Sequence, residues 1–203
     1  MTTINERRSA EDRAVERIVL RTFANTTGRD GEPLRWTVLD DTPVGTIGLA
    51  SGAAGLCRLD FVKGDEHFVG RLLEAFGERP LLRTPGALDE VRRQLDRYFA
   101  GKRLTFDVDV DLSAVSGFSL RVLQAAVRIP VGDVLTYTEI AAKAGNPRAS
   151  RAAGNALHHN PVAIIVPCHR ILRSDGTLGG YGGGLDKKEW LLEHEGAREP
   201  SLG

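Results

Sequence analysis

The sequence predicts a two-domain α/β protein: an antiparallel sheet with helices, followed by a helical domain that contains a helix-turn-helix. Three observations carry that prediction. Short alternating runs broken by Gly, Pro and Asp fill residues 36–62. Helical patterning then dominates from residue 118, and a Thr-x-x-Glu box followed by Gly145-Asn146-Pro147 marks the junction of two short helices. A chain of 203 residues suits two modest cores.

Residues 1–34 alternate in charge (Glu6, Arg7, Arg8, Glu11, Asp12, Arg13, Glu16, Arg17) and end in a Gly- and Thr-containing stretch. They read as an exposed helix followed by a loop, an extension preceding an N-terminal α/β domain over residues 35–114. Three strands, 36–39, 45–50 and 55–62, form an antiparallel meander across turns at Asp40-Asp41-Thr42-Pro43 and Ser51-Gly52. In the third, Cys57, Leu59 and Phe61 alternate with Arg58 and Asp60, which places Cys57 inward as a core residue. Helices are predicted over 67–76 and 87–99, the second with Leu88, Val91, Leu95, Tyr98 and Phe99 on one face and Gly101 at its end. Residues 106–112 alternate strictly and read as a strand or extended linker. Their aspartates lack the Gly and distal Glu of an EF-hand calcium loop, so they form a polar strand face.

A second domain is expected over residues 115–203. An apolar helix at 118–127 is broken by Ile129-Pro130-Val131-Gly132. The Thr136-Tyr137-Thr138-Glu139 box starts a short helix that ends at Gly145. Asn146 and Pro147 are positioned to cap and open the next helix, which runs to about residue 157 or 159. On it, Ala149, Ala152, Ala153, Ala156 and Leu157 make an inward stripe, with Arg148, Arg151, Asn155 and His158 outward. Ser150, Ala153 and Gly154 keep this helix thin enough for a narrow groove. Arg151 is the outward residue best placed to wedge between bases.

The formal net charge is 0, yet residues 140–174 hold Lys143, Arg148, Arg151, Arg170 and Arg173 with no Asp or Glu. A basic segment in a neutral chain fits a nucleic-acid partner, although a solvated charged face has the same composition. Only Cys57 and Cys168 occur, so neither a disulfide framework nor a paired-CxxC zinc site is expected. The charged N-terminus has no apolar signal region, and no run approaches the ~20 apolar residues of a membrane span. The expected location is the reducing cytoplasm, with no membrane partner.

Chemistry concentrates at Val166-Pro167-Cys168-His169-Arg170. A free thiol is mostly protonated at neutral pH, so a nucleophilic cysteine needs a base or a positive charge beside it, which His169 and Arg170 could supply. The alternative is a buried small hydrophobe. The glycine-rich stretch from Gly176 to Gly184 surrounds Tyr181 and lets backbone approach a flat ligand, or else serves as a connector; it lacks a P-loop's Lys-Ser/Thr ending. His158-His159 has no carboxylate or cysteine at ligand spacing, so no metal site is expected.

These segments resemble the O6-alkylguanine-DNA alkyltransferases, also called methylated-DNA–protein-cysteine methyltransferases. The resemblance covers residues 115–196. It rests on Thr136-Tyr137-Thr138-Glu139, on Gly145-Asn146-Pro147 with Arg151 following, on Asn160-Pro161 through Pro167-Cys168-His169-Arg170, on Gly180-Tyr181-Gly182-Gly183-Gly184, and on Lys188-Glu189-Trp190 through His194-Glu195-Gly196. Over residues 35–114 it rests on the order of strands and helices. The fold implied is a ribonuclease-H-like N-terminal domain and a winged-helix-like C-terminal domain.

The activity implied is direct reversal of DNA damage. A thiolate takes the alkyl group from O6-alkylguanine, and O4-alkylthymine is an open further substrate; the protein is consumed in one event, without cofactor. The partner implied is double-stranded DNA containing O6-alkylguanine, bound through the minor groove by a monomer, with cooperativity on DNA left open. By position, the resemblance makes Cys168 the acceptor and His169 its activator through a water, oriented by Glu195. Arg151 fills the stack vacated by a flipped nucleotide, and Tyr137 assists rotation and protonates the leaving guanine. Arg148, Ala149, Ser150, Ala152, Gly154 and Asn155 belong to the DNA-binding helix. Leu157, Asn160, Ile171, Tyr181, Gly182 and Gly183 form the pocket and hinge. Where relatives carry serine, Gly182 keeps the amide and loses a hydroxyl, which bears on lesion size. The residues alone also allow Arg151 to bind phosphate, Tyr137 to be core, and Glu195 to be a helix-end charge. Two rivals are a cysteine hydrolase that turns over and a lesion binder, whose family counterparts lack the nucleophile.

Overall fold

A computed structural model describes residues 19–21 and 32–197. Its first layer is a six-stranded sheet whose strands lie in the order Val19–Arg21, Asp109–Asp111, Gly55–Phe61, Gly45–Gly52, Leu34–Thr42 and Leu81–Arg83. The central strands β2 (Leu34–Thr42), β3 (Gly45–Gly52) and β4 (Gly55–Phe61) form the expected antiparallel meander. Three short strands join it in parallel: β5 (Leu81–Arg83) on β2, β6 (Asp109–Asp111) on β4, and β1 (Val19–Arg21) on β6. The strand at 19–21 was not expected in the N-terminal extension. The charged helix predicted before it lies outside the described residues.

Helix α1 (Asp65–Phe76) packs on one sheet face through Phe68 and Leu72, against Trp36, whose ring meets Phe68 edge-on at 6.1 Å. On the other face, α2 (Asp89–Phe99), entered through a 3-10 turn at Pro85–Leu88, buries Val91, Leu95 and Tyr98. Cys57 is buried, but not beside Leu59 as strict alternation requires. Leu56 pairs with Ser51 and Arg58 with Ala50, so Cys57 sits in a bulge. The bulge turns it into the cluster under α1 with Trp36, Ala50 and Phe68, whereas Leu59 faces the main core. There burial pushes its thiol pKa up to about 12, assisted by Asp111, which leaves it inert.

The second layer is helical. Helix α3 (Gly117–Val127) buries Val122, Leu123, Ala125, Ala126 and Val127. After the two-residue strand β7 (Leu135–Thr136), α4 (Tyr137–Lys143) starts at a complete capping box. Thr136 Oγ1 accepts from the Glu139 amide at 3.2 Å, and the Glu139 carboxylate accepts from the Thr136 amide at 2.7 Å. Helix α5 (Ser150–His158) begins later than Asn146-Pro147 suggests. Asn146 Oδ1 accepts from the Arg148 amide at 3.2 Å, and Ala149 N–H bonds to Asn146 O at 3.0 Å, so 146–149 is an Asx-type turn in place of a first helical turn. Ala153, Ala156 and Leu157 are buried against α3 and α4. Ala152, expected in that stripe, is exposed with Arg148, Arg151, Asn155 and His158, and Ala149, also expected there, is a half-buried residue at the N-cap.

The two layers meet directly. Leu59 in β4 donates to Pro161 O at 2.8 Å and accepts from the Ala163 amide at 3.1 Å, so residues 161–163 run along the sheet. No helix among the described residues is long and apolar enough to cross a membrane.

Candidate active site

The chain leaves α5 through Asn160 and turns back into the core at residues 163–166. Ile164 there adopts φ 69°, a conformation that is strained by roughly 1–3 kcal/mol for a β-branched residue. That turn delivers a single 3-10 turn, Cys168–Arg170, followed by β8 (Ile171–Leu172), which pairs with β7. Asn160 ties the turn together. Its Nδ2 donates to Val166 O at 2.8 Å and to Cys168 Sγ at 3.1 Å, and its Oδ1 accepts from the Val162 amide at 3.1 Å.

Cys168 is 7% exposed. Burial raises its thiol pKa, an effect opposed by the Asn160 hydrogen bond and by the charge of Lys188. The thiol lies where two cavities meet. One, of about 400 Å³, is lined by Tyr137, Ser150, Arg151, Gly154, Leu157, His158, Arg173, Gly180, Tyr181 and Gly182. That volume suits a small flat ligand. The other, of about 780 Å³, is a polar cleft between β4 and the end of α5 that includes Asn160 and Gly183.

Behind the thiol is a buried polar cluster. Helix α6 (Leu185–His194) ends at Glu195, which is 1% exposed. Its Oε1 lies 3.1 Å from His169 Nε2 and accepts from Tyr98 Oη at 2.7 Å and from Arg170 Nη2 at 3.0 Å. Its Oε2 accepts from Arg170 Nε at 2.7 Å. Burial alone would raise the Glu195 pKa, but His169 and Arg170 outweigh it and hold the carboxyl well below the usual range. Burial lowers the pKa of His169, against the pull of Glu195, so its imidazole is neutral near pH 7. A carboxylate at Nε2 assigns the ring proton there and leaves Nδ1, which is buried without a hydrogen-bond partner, as a base.

The glycine-rich stretch forms the pocket wall. Tyr181 packs edge-on against Phe61 of β4 at 5.9 Å, and its buried hydroxyl has no hydrogen-bond partner of normal geometry. At Gly183 a Cβ would stand 2.4 Å from the Phe61 ring, so the loop closes over the sheet only with glycine there. Tyr137, half-buried at the start of α4, donates to Gly180 O at 3.3 Å and rests against Gly154 and Gly179.

Most of the predicted residues therefore converge around Cys168, and three placements differ from expectation. Arg170 faces Glu195 and the Ile129 carbonyl, not the thiol. Ile171 is fully buried in β8, outside the pocket. Gly183 lines the wider cleft.

Four contributors had no sequence signal of their own. They are Tyr98 and Phe61 from the sheet layer, Arg173 on the pocket wall, and Lys188. Buried Lys188 donates to the Ile171 and Leu178 carbonyls, and desolvation, partly offset by Cys168, lowers its pKa to about 8. Tyr98 could be predicted only as a core residue, and Lys188 only as part of a motif.

A thiol at the floor of a base-sized pocket, backed by a buried imidazole–carboxylate pair and bordered by a basic helix, defines a class: nucleic-acid-directed proteins with a cysteine nucleophile. Comparison with known proteins specifies the family. Residues 34–112 match the model of the 6-O-methylguanine DNA methyltransferase ribonuclease-like domain, and residues 117–197 match that of its DNA-binding domain.

The chain is 42% identical over 164 residues to the methylated-DNA–protein-cysteine methyltransferase of Mycobacterium bovis, covering 79% of this chain and 92% of that one. It is 42% identical over 157 residues to that of Methanosarcina barkeri, covering 76% and 93%. The crystal structure of Mycobacterium tuberculosis O6-methylguanine methyltransferase superposes with a TM-score of 0.69 at 38% identity, covering 83% of this chain and 96% of that one; the same relative has been solved in complex with DNA. The chain belongs to the 6-O-methylguanine DNA methyltransferase family.

Proposed function

We propose that this protein repairs DNA in the cytoplasm by transferring the alkyl group of O6-alkylguanine, and of O4-alkylthymine, irreversibly to Cys168, acting once per molecule as a monomer. The observation that carries the reading is that Cys168 lines one pocket with Arg151, Tyr181 and Gly182, while its chain neighbour His169 is paired with Glu195. Residues 35–114 act as the supporting α/β domain, residues 115–203 as the DNA-binding and alkyl-transfer domain, and residues 1–34 as an extension.

The exposed side of α5, with Ser150, Arg151, Ala152, Gly154 and Asn155, enters the minor groove together with Arg148 and Ala149 of the turn before it. The damaged nucleotide rotates out of the stack, Arg151 takes its place, and Tyr137 guides the rotating backbone. In the pocket, Leu157 and Tyr181 hold the base faces, and the Gly182 amide donates to the base. Burial keeps Cys168 protonated at rest, so the proton must leave as attack begins. It passes to His169 Nδ1 through a water, and Glu195 stabilises the imidazolium. Asn160 and Lys188 hold the developing thiolate.

The S–C bond forms as the C–O6 bond breaks, and the electron pair leaves with guanine. Tyr137, whose pKa is raised by burial and by the Cys168 charge, is protonated when attack begins and donates its proton to the leaving guanine; the proton taken up by His169 then restores the tyrosine through water, so the thiol proton is the one that ends on guanine. The product is a thioether, whose C–S bond water does not cleave at neutral pH, so the reaction ends there.

The test is stoichiometry. A duplex with labelled O6-methylguanine should give one equivalent of label on protein and then no further reaction. Continued turnover would indicate a hydrolase, and binding without transfer a lesion sensor. Affinity for duplex should fall steeply with salt and depend little on sequence.

A further inference from the structure

We propose that Tyr98, a residue of the sheet layer, is a positioning residue for alkyl transfer: its hydroxyl fixes the Glu195 carboxylate toward His169. The inference rests on the proposed function above. Tyr98 lies on the last turn of α2, and its hydroxyl donates to Glu195 Oε1 at 2.7 Å, the same oxygen that faces His169 Nε2. The ring is fully buried and held by Phe99, Phe106 and His194 at centroid distances of 5.5, 5.1 and 5.1 Å. Its main-chain carbonyl is also held, 2.6 Å from His194 Nε2. A hydroxyl this tightly seated has little freedom to seek another acceptor.

Its effect follows from competition for the carboxylate. The ionisable and charged groups around Glu195 are His169 and Arg170 from the turn, Tyr98 from α2 and Tyr181 from the pocket wall; Lys188 acts on His169 from α6. Arg170 grips both oxygens. Without the Tyr98 hydroxyl, Oε1 is left between His169 Nε2 and Arg170 Nη2, and the guanidinium fork, which also holds Oε2, draws the carboxylate away from the imidazole. Tyr98 balances that pull and keeps Oε1 on Nε2, so Nδ1 remains the basic nitrogen. The sheet layer thereby takes part in the chemistry through one oxygen atom.

Tyr98→Phe removes that atom and keeps the ring. The rate of alkyl transfer to the full-length protein, measured against pH with O6-methylguanine duplex, should show its rising limb displaced to higher pH by about one unit. That displacement is about tenfold in rate near neutrality. The two proteins should converge at alkaline pH, where the thiol ionises without help, and duplex affinity should be unchanged. In a Glu195→Gln background, Tyr98→Phe should give no further loss. An unmoved profile, a drop equal at every pH, or additive losses in the double variant would overturn the inference. Wild-type protein run alongside separates the two claims. Failure of wild type to take one equivalent of label would remove the parent reading as well, whereas normal wild-type transfer with an unmoved variant profile removes Tyr98 alone.

Discussion

Replacing Glu195 with glutamine tests the buried cluster from two directions. The carboxylate satisfies four donors, two of them on Arg170, and both side chains of that ion pair are sequestered, at 2% and 0% exposure. An amide cannot substitute. If its NH2 occupies the Oε2 position it faces Arg170 Nε, and if it occupies the Oε1 position it faces Tyr98 and His169, so one donor always meets another donor.

Removing the anion from a buried pair destabilises by about 3–5 kcal/mol, without discount for solvent at this depth. For a chain of this size that lowers Tm by roughly 6–20 °C. The imidazole also loses the group that fixes its tautomer, so single-turnover transfer should slow by roughly 10²-fold or more, within the range of general-base contributions. Duplex affinity should persist, because Glu195 is buried at the end of α6 and the proposed binding face is the exposed side of α5. Denaturant titration and rapid-quench transfer measure the two effects separately. A variant within about 1 kcal/mol of wild type and equally fast would refute both the energetic role of the pair and the relay.

Three further outcomes are expected. Arg151→Ala should slow repair of duplex at least about tenfold while sparing reaction with free O6-alkylguanine base, since only duplex requires extrusion; equal losses on both substrates would remove Arg151 from that step. Gly183→Ala forces a Cβ into the Phe61 ring at 2.4 Å and should destabilise by about 1–3 kcal/mol, and Phe61→Leu should recover part of the loss in a chemical-denaturation comparison. If Gly183→Ala is harmless, the loop does not pack on the sheet as described. Because the folded-state pKa of Glu195 is depressed, its contribution is fully present above the unfolded value of about 4.3 and is lost as pH falls through the folded value. The stability gap between wild type and Glu195→Gln should therefore narrow below about pH 4, as read by denaturation at pH 7 and pH 3; a constant gap would contradict the depressed pKa.

What the sequence reveals of this molecule is mainly what is local. The capping box of α4 is legible because Thr136 and Glu139 act within one turn. The meander is legible because its strands alternate between clear turns. Alternation gives Cys57 the correct burial but the wrong face, since a bulge changes facing without changing composition. Asn146-Pro147 suggests too early a start for α5 because Asn-Pro serves equally as a helix entrance and as an Asx turn, and the Arg148 amide decides between them.

At the site, Cys168, His169 and Asn160 stand in one short segment and are recognisable together. Tyr98 and Phe61 are not, because they reach the site only when the two layers dock. Lys188 bonds to backbone carbonyls, which leave no mark in side-chain spacing. Arg170 stands two residues from Cys168 yet faces Glu195, because a 3-10 turn rotates each successive side chain by about 120°.

The most direct test is to react the protein with a duplex carrying O6-methylguanine and weigh its proteolytic peptides. The expected result is a single methyl group on the peptide containing Cys168, one per molecule, and none in Cys168→Ala. Methylation of another peptide, or methylation that survives Cys168→Ala, would contradict the account.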